Sequence, residues 1–361
     1  MYAHTDGARE QLKAGNIPAG RVKTVAELAG VPPISLEDAG DGSRYVVRPT
    51  RTELRRSGSP YMRARTVWAS TWGRWKPFLA SIEPRYRPVH FFNADGVPVG
   101  AAPADLVRLA GIGADWMRRL GVSGDDSVAL VGGAGAGIEA WQLSGGTRRA
   151  GVPLAVIDDH ARATRHGPTV VAGTPEAIVA ALAGGVWPEL RLAIVFGRNT
   201  DRVDRALAKA GDQVSVRRAW AVPGARSVWF ECKGGAAQGW HTVPAAEHIE
   251  VDGDGEALWT GLGWAGTVFL RLRTDLLVDA IDESACAACG HTGPRLFFGD
   301  GRASLARWLR NDSRVAEVRL TRDGAEVLPA RAGANARLVS DAGKAFPDQR
   351  VTVMTKKGWS G

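Results

Sequence analysis

Three cysteines and one histidine carry the clearest chemistry in this sequence. Cys232 stands alone, His241 follows in Gly239-Trp240-His241, and Cys286 and Cys289 form a C-x-x-C pair within Cys286-Ala287-Ala288-Cys289-Gly290-His291. That spacing lets two thiolates bind one metal ion, and a third sulfur with an imidazole nitrogen completes a closed structural zinc site. The chain has no other cysteine. Cys232, His241, Cys286 and Cys289 are therefore the expected zinc ligands, with His291 competing for the histidine position. A closed site braces a fold and does not activate water. The competing reading is three buried thiols packing as small apolar groups. No Cys-His-Asn pattern points to a nucleophilic cysteine, and His90, His160 and His166 have no partner pattern.

The elements that must position these residues follow from the apolar pattern. Residues 1–85 read as an irregular lead-in with one or two short helices. From there a strand-then-helix alternation sets in. Strands are expected at 88–92, 127–131, 153–157, 169–171 and 192–196, and helices at 104–120, 141–149, 174–182 and 200–210. Thr174-Pro175-Glu176 is a helix start, with a capping hydroxyl and proline at the first position. Repeats of this length argue for a mainly parallel α/β sheet covered on both faces. After about residue 226 strands and turns take over, including an expected strand at 267–272. The last segment, 296–361, reads as a helix at 303–309 with strands at 315–320 and 351–354.

Composition limits the function classes. At 361 residues, 45% hydrophobic and with 13 tryptophans, the chain can bury a real core, and its length suits two domains. No run of about 18 apolar residues predicts a membrane span. The N-terminus lacks a basic-then-apolar export signal. An odd cysteine count in such a chain points to a reducing cytoplasm. The formal charge is +8, carried mostly by arginine, densest between Arg48 and Arg65. We read this as a solvated basic surface rather than a nucleic-acid site, since no nucleic-acid module is recognisable.

The run Val128-Ala129-Leu130-Val131-Gly132-Gly133-Ala134-Gly135-Ala136-Gly137, with Asp158 ending the next strand, has the layout of a dinucleotide site. The spacing fails, however, because the required third glycine falls on Ile138. A glycine turn packing strand to helix is the preferred reading, with NAD or FAD as the alternative.

Four motifs fall in one order between Glu231 and Arg295: Glu231-Cys232 with Gly239-Trp240-His241 and Glu250-Val251; Gly255-Glu256-Ala257-Leu258-Trp259-Thr260; Leu270-Arg271-Leu272-Arg273-Thr274-Asp275-Leu276; and Cys286-Ala287-Ala288-Cys289-Gly290-His291-Thr292-Gly293-Pro294-Arg295. Together they resemble the adenylate-forming, acyl-activating enzymes, most closely the phenylacetate-CoA ligase-like branch. The resemblance implies a large α/β domain over 86–295, with the zinc-knuckle segment at 231–295, followed by an abbreviated α+β C-terminal cap at 296–361. It also implies activation of a small carboxylic acid with ATP and magnesium through an acyl-AMP. By the same resemblance Asp275 would hold the ribose hydroxyls, with Gly96 and Arg271 as further nucleotide contacts. Lys356 or Lys357 would be the catalytic lysine at the acyl phosphate; the competing reading of both is a solvated tail.

The departures from the family pattern are chemical. Its phosphate loop is rich in Ser, Thr and Gly and ends G-K-P. The matching stretch here, Phe91-Phe92-Asn93-Ala94-Asp95-Gly96-Val97-Pro98, has no hydroxyl residue and no lysine. The adenine and magnesium segment falls at Trp220-Ala221-Val222-Pro223-Gly224, without its threonine and glutamate. The ribose motif lacks one residue between Thr274 and Asp275. Two expectations follow: an ATP-dependent acid ligase, or a catalytically degenerate relative that binds a small acid or a partner protein without ATP chemistry.

Overall fold

The computed structural model describes the chain apart from residues 1–4, 19–21, 23, 25, 49–53, 55–59, 133–136, 158–166, 209–213, 254, 299–304, 306–308, 310–311, 322–323, 331–334, 346–349 and 356–361. Helix α1 (Asp6–Ala14) comes first, its start capped by the Thr5 hydroxyl, which accepts from the Ala8 N–H at 3.1 Å. A helical hairpin, α2 (Pro60–Thr71) and α3 (Trp75–Ile82), precedes the β-hairpin β1 (His90–Ala94) and β2 (Val97–Ala101). The alternating part then runs α4 (Pro103–Leu120), β3 (Val128–Val131), α5 (Ile138–Ala150), β4 (Leu154–Ile157), β5 (Val170–Gly173), α6 (Pro175–Ala181), β6 (Leu192–Phe196), α7 (Asp201–Leu207) and β7 (Ser215–Ala221). Short strands follow: β8 (Val228–Phe230), β9 (Trp240–His241), β10 (Glu247–Val251), β11 (Glu256–Gly261), β12 (Leu272–Leu277), β13 (Ala280–Asp282) and β14 (Arg295–Phe297). Near the end lie β15 (Val315–Thr321), β16 (Gly324–Pro329), α8 (Asn335–Ala345) and β17 (Arg350–Val353).

A nine-stranded sheet in the order β13-β14-β9-β8-β7-β6-β5-β3-β4 carries the architecture. Strands β4, β3, β5, β6 and β7 are parallel, and β8, β9, β14 and β13 extend the sheet antiparallel. The protein is thus α/β, with a large mixed sheet and small sheets beside it. The central strands are apolar without a break because both faces are covered. Val128, Leu130, Val170, Ala172, Leu192 and Ile194 face one core, while Ala129, Val131, Val171, Ala193 and Val195 face the other. Helices α4 and α5 close the first face with Leu109, Trp116, Leu120 and Leu143. Helices α6 and α7 close the second with Ile178, Ala181, Val203 and Leu207.

Glycines let α4 and α5 approach closely. A Cβ on Gly113 would lie 1.9 Å from the Gln142 carbonyl oxygen, and one on Gly146 would lie 2.5 Å from the Gly113 carbonyl carbon. The same contact buries a polar chain: the Trp116 indole donates to Gln142 Oε1 at 3.0 Å, and Gln142 Nε2 donates to the Arg226 carbonyl at 2.8 Å.

Strand β7 interrupts its apolar pattern with Arg217 and Arg218, so periodicity does not announce it. The run 267–272 reads as one strand, yet the strand begins only at Leu272. Before it, the backbone serves the N-terminal segment instead: Val268 N–H donates to the Tyr45 carbonyl at 2.9 Å and Val47 N–H to the Gly266 carbonyl at 2.9 Å. The helix expected at 303–309 and Lys356 and Lys357 fall largely or wholly outside the described residues, as do Asp158, His160, His166 and most of the glycine run. Among the described residues no helix is long and apolar enough to cross a membrane.

One buried ion pair joins the parts. Arg226 is 1% exposed and Asp105, in the first turn of α4, is 1% exposed. Arg226 donates to Asp105 at 2.8 Å, to the Gly100 carbonyl at 3.1 Å and to the Thr267 carbonyl. The Asp105 carboxylate also accepts from the backbone N–H groups of Ala102 (3.0 Å), Ala265 (2.8 Å) and Gly266 (2.8 Å). Replacing Asp105 by alanine leaves a buried guanidinium uncompensated, and urea unfolding should show a loss of about 3–5 kcal/mol. A second carboxylate makes a pH-dependent contribution. Burial works against ionisation of Asp126, but the Arg191 guanidinium, the Ser123 N–H and the Thr169 hydroxyl outweigh it and bring its pKa down to about 2. The stability from Asp126 is present above the ordinary 3.8 and is lost as pH falls toward 2. Acid unfolding followed by circular dichroism should therefore be less steep across that window in Asp126→Asn.

Candidate metal centre and nucleotide cleft

The four expected metal ligands converge. Their ligand atoms all lie within 4.8 Å of one another. Cys232 Sγ is 3.9 Å from Cys286 Sγ, and Cys289 Sγ is 3.4 Å from His241 Nε2. Tetrahedral zinc with bonds of about 2.3 Å to sulfur and 2.0 Å to nitrogen needs separations of roughly 3.5–3.8 Å, so the donor set fits a metal of that size. Cys232 leaves the end of β8, and His241 sits on β9 next to it, paired with Phe230. The Cys286–Cys289 knuckle closes on itself, with Gly290 N–H donating to the Cys286 carbonyl and Cys286 N–H to the His291 carbonyl, both at 2.8 Å. Helix α4 anchors it through Arg119, which donates to the Cys289 carbonyl at 3.3 Å.

Electrostatics favours a cation here. Cys232, His241 and Cys286 are buried. Burial, reinforced by the neighbouring thiols, pushes the Cys232 thiol up to about 12, while burial holds His241 down to about 4 and therefore neutral. A neutral imidazole is the ligating form, and a divalent cation would stabilise the thiolates that burial disfavours. His291 packs edge-on to His241, with ring centroids 5.2 Å apart, and lies outside the four-atom cluster.

The stretch matched to a phosphate loop is a tight hairpin. Ala94 pairs with Val97, leaving Asp95 and Gly96 as a two-residue turn with φ of +48° and +90°. Asp-Gly with both φ positive is the turn that the twist of adjacent strands prefers. The Gly96 N–H is taken by Asn93 Oδ1 at 2.8 Å. Beneath it lies a cavity of about 160 Å³ bordered by Phe92, Asp95, Gly137, Glu139, Val222 and Arg226, among others. Small-molecule sites usually start near 300 Å³. Two carboxyl groups border the cavity. Burial raises the pKa of Glu139, whose carboxyl accepts from the Ala221 N–H at 2.9 Å. Arg226, the cation on the wall, is committed to Asp105. These residues do not fit a triphosphate.

The other nucleotide candidates are dispersed. Thr274–Leu276 bulge out opposite Ala257, and Asp275 takes φ +56° with its side chain exposed. Its N–H donates to Glu256 Oε1 at 2.9 Å, and it does not border the cavity. Arg271 (φ +46°) pairs with Glu250 at 3.2 Å and donates to the Ala29 carbonyl at 3.0 Å, tying down the N-terminal segment. Trp220, in the adenine segment, is covered: the Arg198 guanidinium carbon lies 5.6 Å from its ring centre and 4.9 Å from that of Phe298. Arg198, Arg218, Trp240 and Phe298 border a separate cleft of about 400 Å³ beyond β6.

Sequence reading missed the buried groups that organise this region. Asp105, Arg226 and Glu139 look like ordinary helix and loop charges. Glu247 is another: its carboxylate accepts from Val243 N–H at 2.6 Å, Trp259 Nε1 at 2.6 Å, Trp229 Nε1 at 3.0 Å and the Ser227 hydroxyl. Its neighbours, Ala246 and His248, give no local signal, and the tryptophans it binds lie 12 and 18 residues away.

No protein-family model matches the sequence, and no curated protein matches it. Solved structures do match. A 2-hydroxyisobutyryl-CoA ligase in the postadenylation state with R3-HIB-AMP aligns with a TM-score of 0.60 at 14% identity, covering 98% of this chain and 82% of the other. The same ligase in an open conformation, with 2-HIB-AMP and CoA, aligns with a TM-score of 0.60 at 15% identity, covering 98% and 84%. The fold is therefore that of adenylate-forming acyl-CoA ligases. Metal analysis of the purified chain should give one zinc per molecule, and Cys286→Ser should lose it along with thermal stability; substoichiometric metal in the wild type would refute the assignment.

Proposed function

We propose that this chain keeps the adenylate-forming scaffold and its metal brace but binds a small carboxylic acid or a partner protein without ATP chemistry. The Asp95-Gly96 turn carries this reading. It spends the Gly96 amide and sets the Asp95 carboxylate at the border of a cavity of about 160 Å³, in the stretch that would have to meet phosphate charge. The cleft beyond β6 supports the acid-binding part. Burial, then the neighbouring Arg218, disfavours the charge on Arg198; Asp201 also borders this cleft, and Arg218 is already paired with Glu231. Trp240 and Phe298 border the cleft, each with an arginine over its ring, which leaves the guanidinium groups rather than the ring faces to meet an acid. On this reading 1–85 is a lead-in, 86–295 the scaffold domain, 231–295 its metal-braced part, and 296–361 a shortened cap.

The second reading is acid activation of the phenylacetate-CoA ligase type, which the fold of acyl-adenylate-bearing neighbours favours. Asp275, Gly96 and Arg271 would then contact the nucleotide, and Lys356 or Lys357 the acyl phosphate. Calorimetry with magnesium-ATP at millimolar concentration, followed by pyrophosphate release across a panel of aryl and fatty acids, separates the two. The first reading expects no ATP heat and no pyrophosphate. It further expects one acid to bind directly, and about tenfold more weakly to Arg198→Ala. ATP binding with acid-dependent pyrophosphate release would establish the ligase reading instead.

A further inference from the structure

Between Glu53 and Glu83 the chain carries six basic residues and no acid, and neither the metal centre nor the cleft uses this stretch. Its two helices enclose a core of their own: Leu54, Ala69, Phe78 and Ile82 are buried together, with Met62, Trp75 and Leu79 packed against them. Met62, Thr66 and Ala69 form the inward side of α2. Its outward side presents Tyr61, Arg65, Trp68 and, just past the last turn, Trp72. The spacing i, i+4, i+7, i+11 places these four on one stripe. Tyr61 is 61% exposed, Val67 51%, Trp68 49% and Trp72 69%. A contiguous group of large apolar side chains left in water marks an interaction surface.

Charge and ring geometry select the occupant. Among the described residues of this stretch, Arg63, Arg65, Arg74 and Lys76 stand without an acid, which calls for an anionic partner. Single-stranded nucleic acid binds aromatic residues by stacking bases on open ring faces. Here arginines already lie over two of the three rings: the Arg65 guanidinium carbon is 5.6 Å from the Tyr61 ring centre, and that of Arg74 is 5.7 Å from Trp68. What this helix surface offers a partner is ring edges, the Trp72 ring and the exposed Arg74 guanidinium, while Arg65 is partly engaged by the Tyr61 hydroxyl at 3.1 Å. A bilayer interface accepts that combination, with amphipathic rings at headgroup depth and arginines on lipid phosphates.

We propose that the α2–α3 hairpin docks the protein peripherally on anionic phospholipid, with Trp68 and Trp72 at headgroup level and Arg65 and Arg74 contacting phosphates. The test uses the full chain and vesicles of phosphatidylcholine, with and without about one third phosphatidylserine. Co-sedimentation with the anionic vesicles only, accompanied by a blue shift of tryptophan emission and weakened by salt, is the expected result. Trp68→Ser/Trp72→Ser should bind at least about tenfold more weakly with an unchanged circular dichroism spectrum. Should that variant misfold, Arg74→Glu, at an exposed position, should still weaken binding to the anionic vesicles. Equal binding to both vesicle types, undiminished binding by the variants, or capture of a single-stranded oligonucleotide without vesicle binding would each overturn the proposal.

Discussion

The ion pair between Arg226 and Asp105 constrains the rest of the molecule. A guanidinium with almost no solvent contact must find its donors' partners inside the protein. Its two terminal nitrogens find them at the end of β2, in the first turn of α4 and in the segment before β12, each 41 or more residues from Arg226, while Nε has no partner. The Trp264 ring, whose centre lies 4.3 Å from the guanidinium carbon, covers its face. Burial pulls its pKa to about 10, yet it stays protonated at neutral pH because Asp105 lies opposite. The β-hairpin, the α4–α5 layer and the N-terminal tie are thereby locked to one another. The same commitment pairs Arg226, the one basic residue among the described residues that border the cavity under the Asp95-Gly96 turn.

The strand-rich half is organised by different chemistry. Its strands are two to seven residues long, and their apolar residues, Trp229, Trp259, Leu272 and Leu296 among them, join the main hydrophobic core. Convergent polar groups and the cysteine-histidine cluster add to that packing. Glu247 gathers two indole N–H groups, a hydroxyl and a backbone amide, and the cysteine-histidine cluster gathers β8, β9 and the knuckle. Burial raises the Glu247 pKa while its four donors oppose the shift. Each centre draws together residues that lie tens of positions apart in the chain, and each is saturated by its own protein partners or ready for a single ion.

Much of the architecture was legible because hydrophobic burial writes itself into local pattern. Val128–Val131, Leu192–Phe196 and the α4 stripe ending at Leu120 stand where periodicity puts them, since these residues are apolar for the same reason that they are buried. The capped start at Thr174-Pro175 is likewise local. Ser215–Ala221 escaped notice because this strand sits at the junction of the parallel and antiparallel parts and carries Arg217 to the Lys233 carbonyl and Arg218 to the buried Glu231. The stretch 267–272 misled in the opposite sense. It is apolar because it is buried under the N-terminal segment, not because it belongs to a strand.

Residue scarcity singled out the candidate metal ligands: with three cysteines in the whole chain, the C-x-x-C pair and its two companions could be named from the sequence, and so could the hydroxyls and lysine absent from the stretch that resembles a phosphate loop. Whether those absences left a usable cleft was decided only in three dimensions. The answer depended on a two-residue turn closing over Glu139, on which partners claimed Arg226, and on Arg198 lying across an aromatic ring. Local pattern records which residues avoid water. It does not record which charged group, once out of water, is matched to which distant partner, because that matching is set by the packing of segments that meet only after folding.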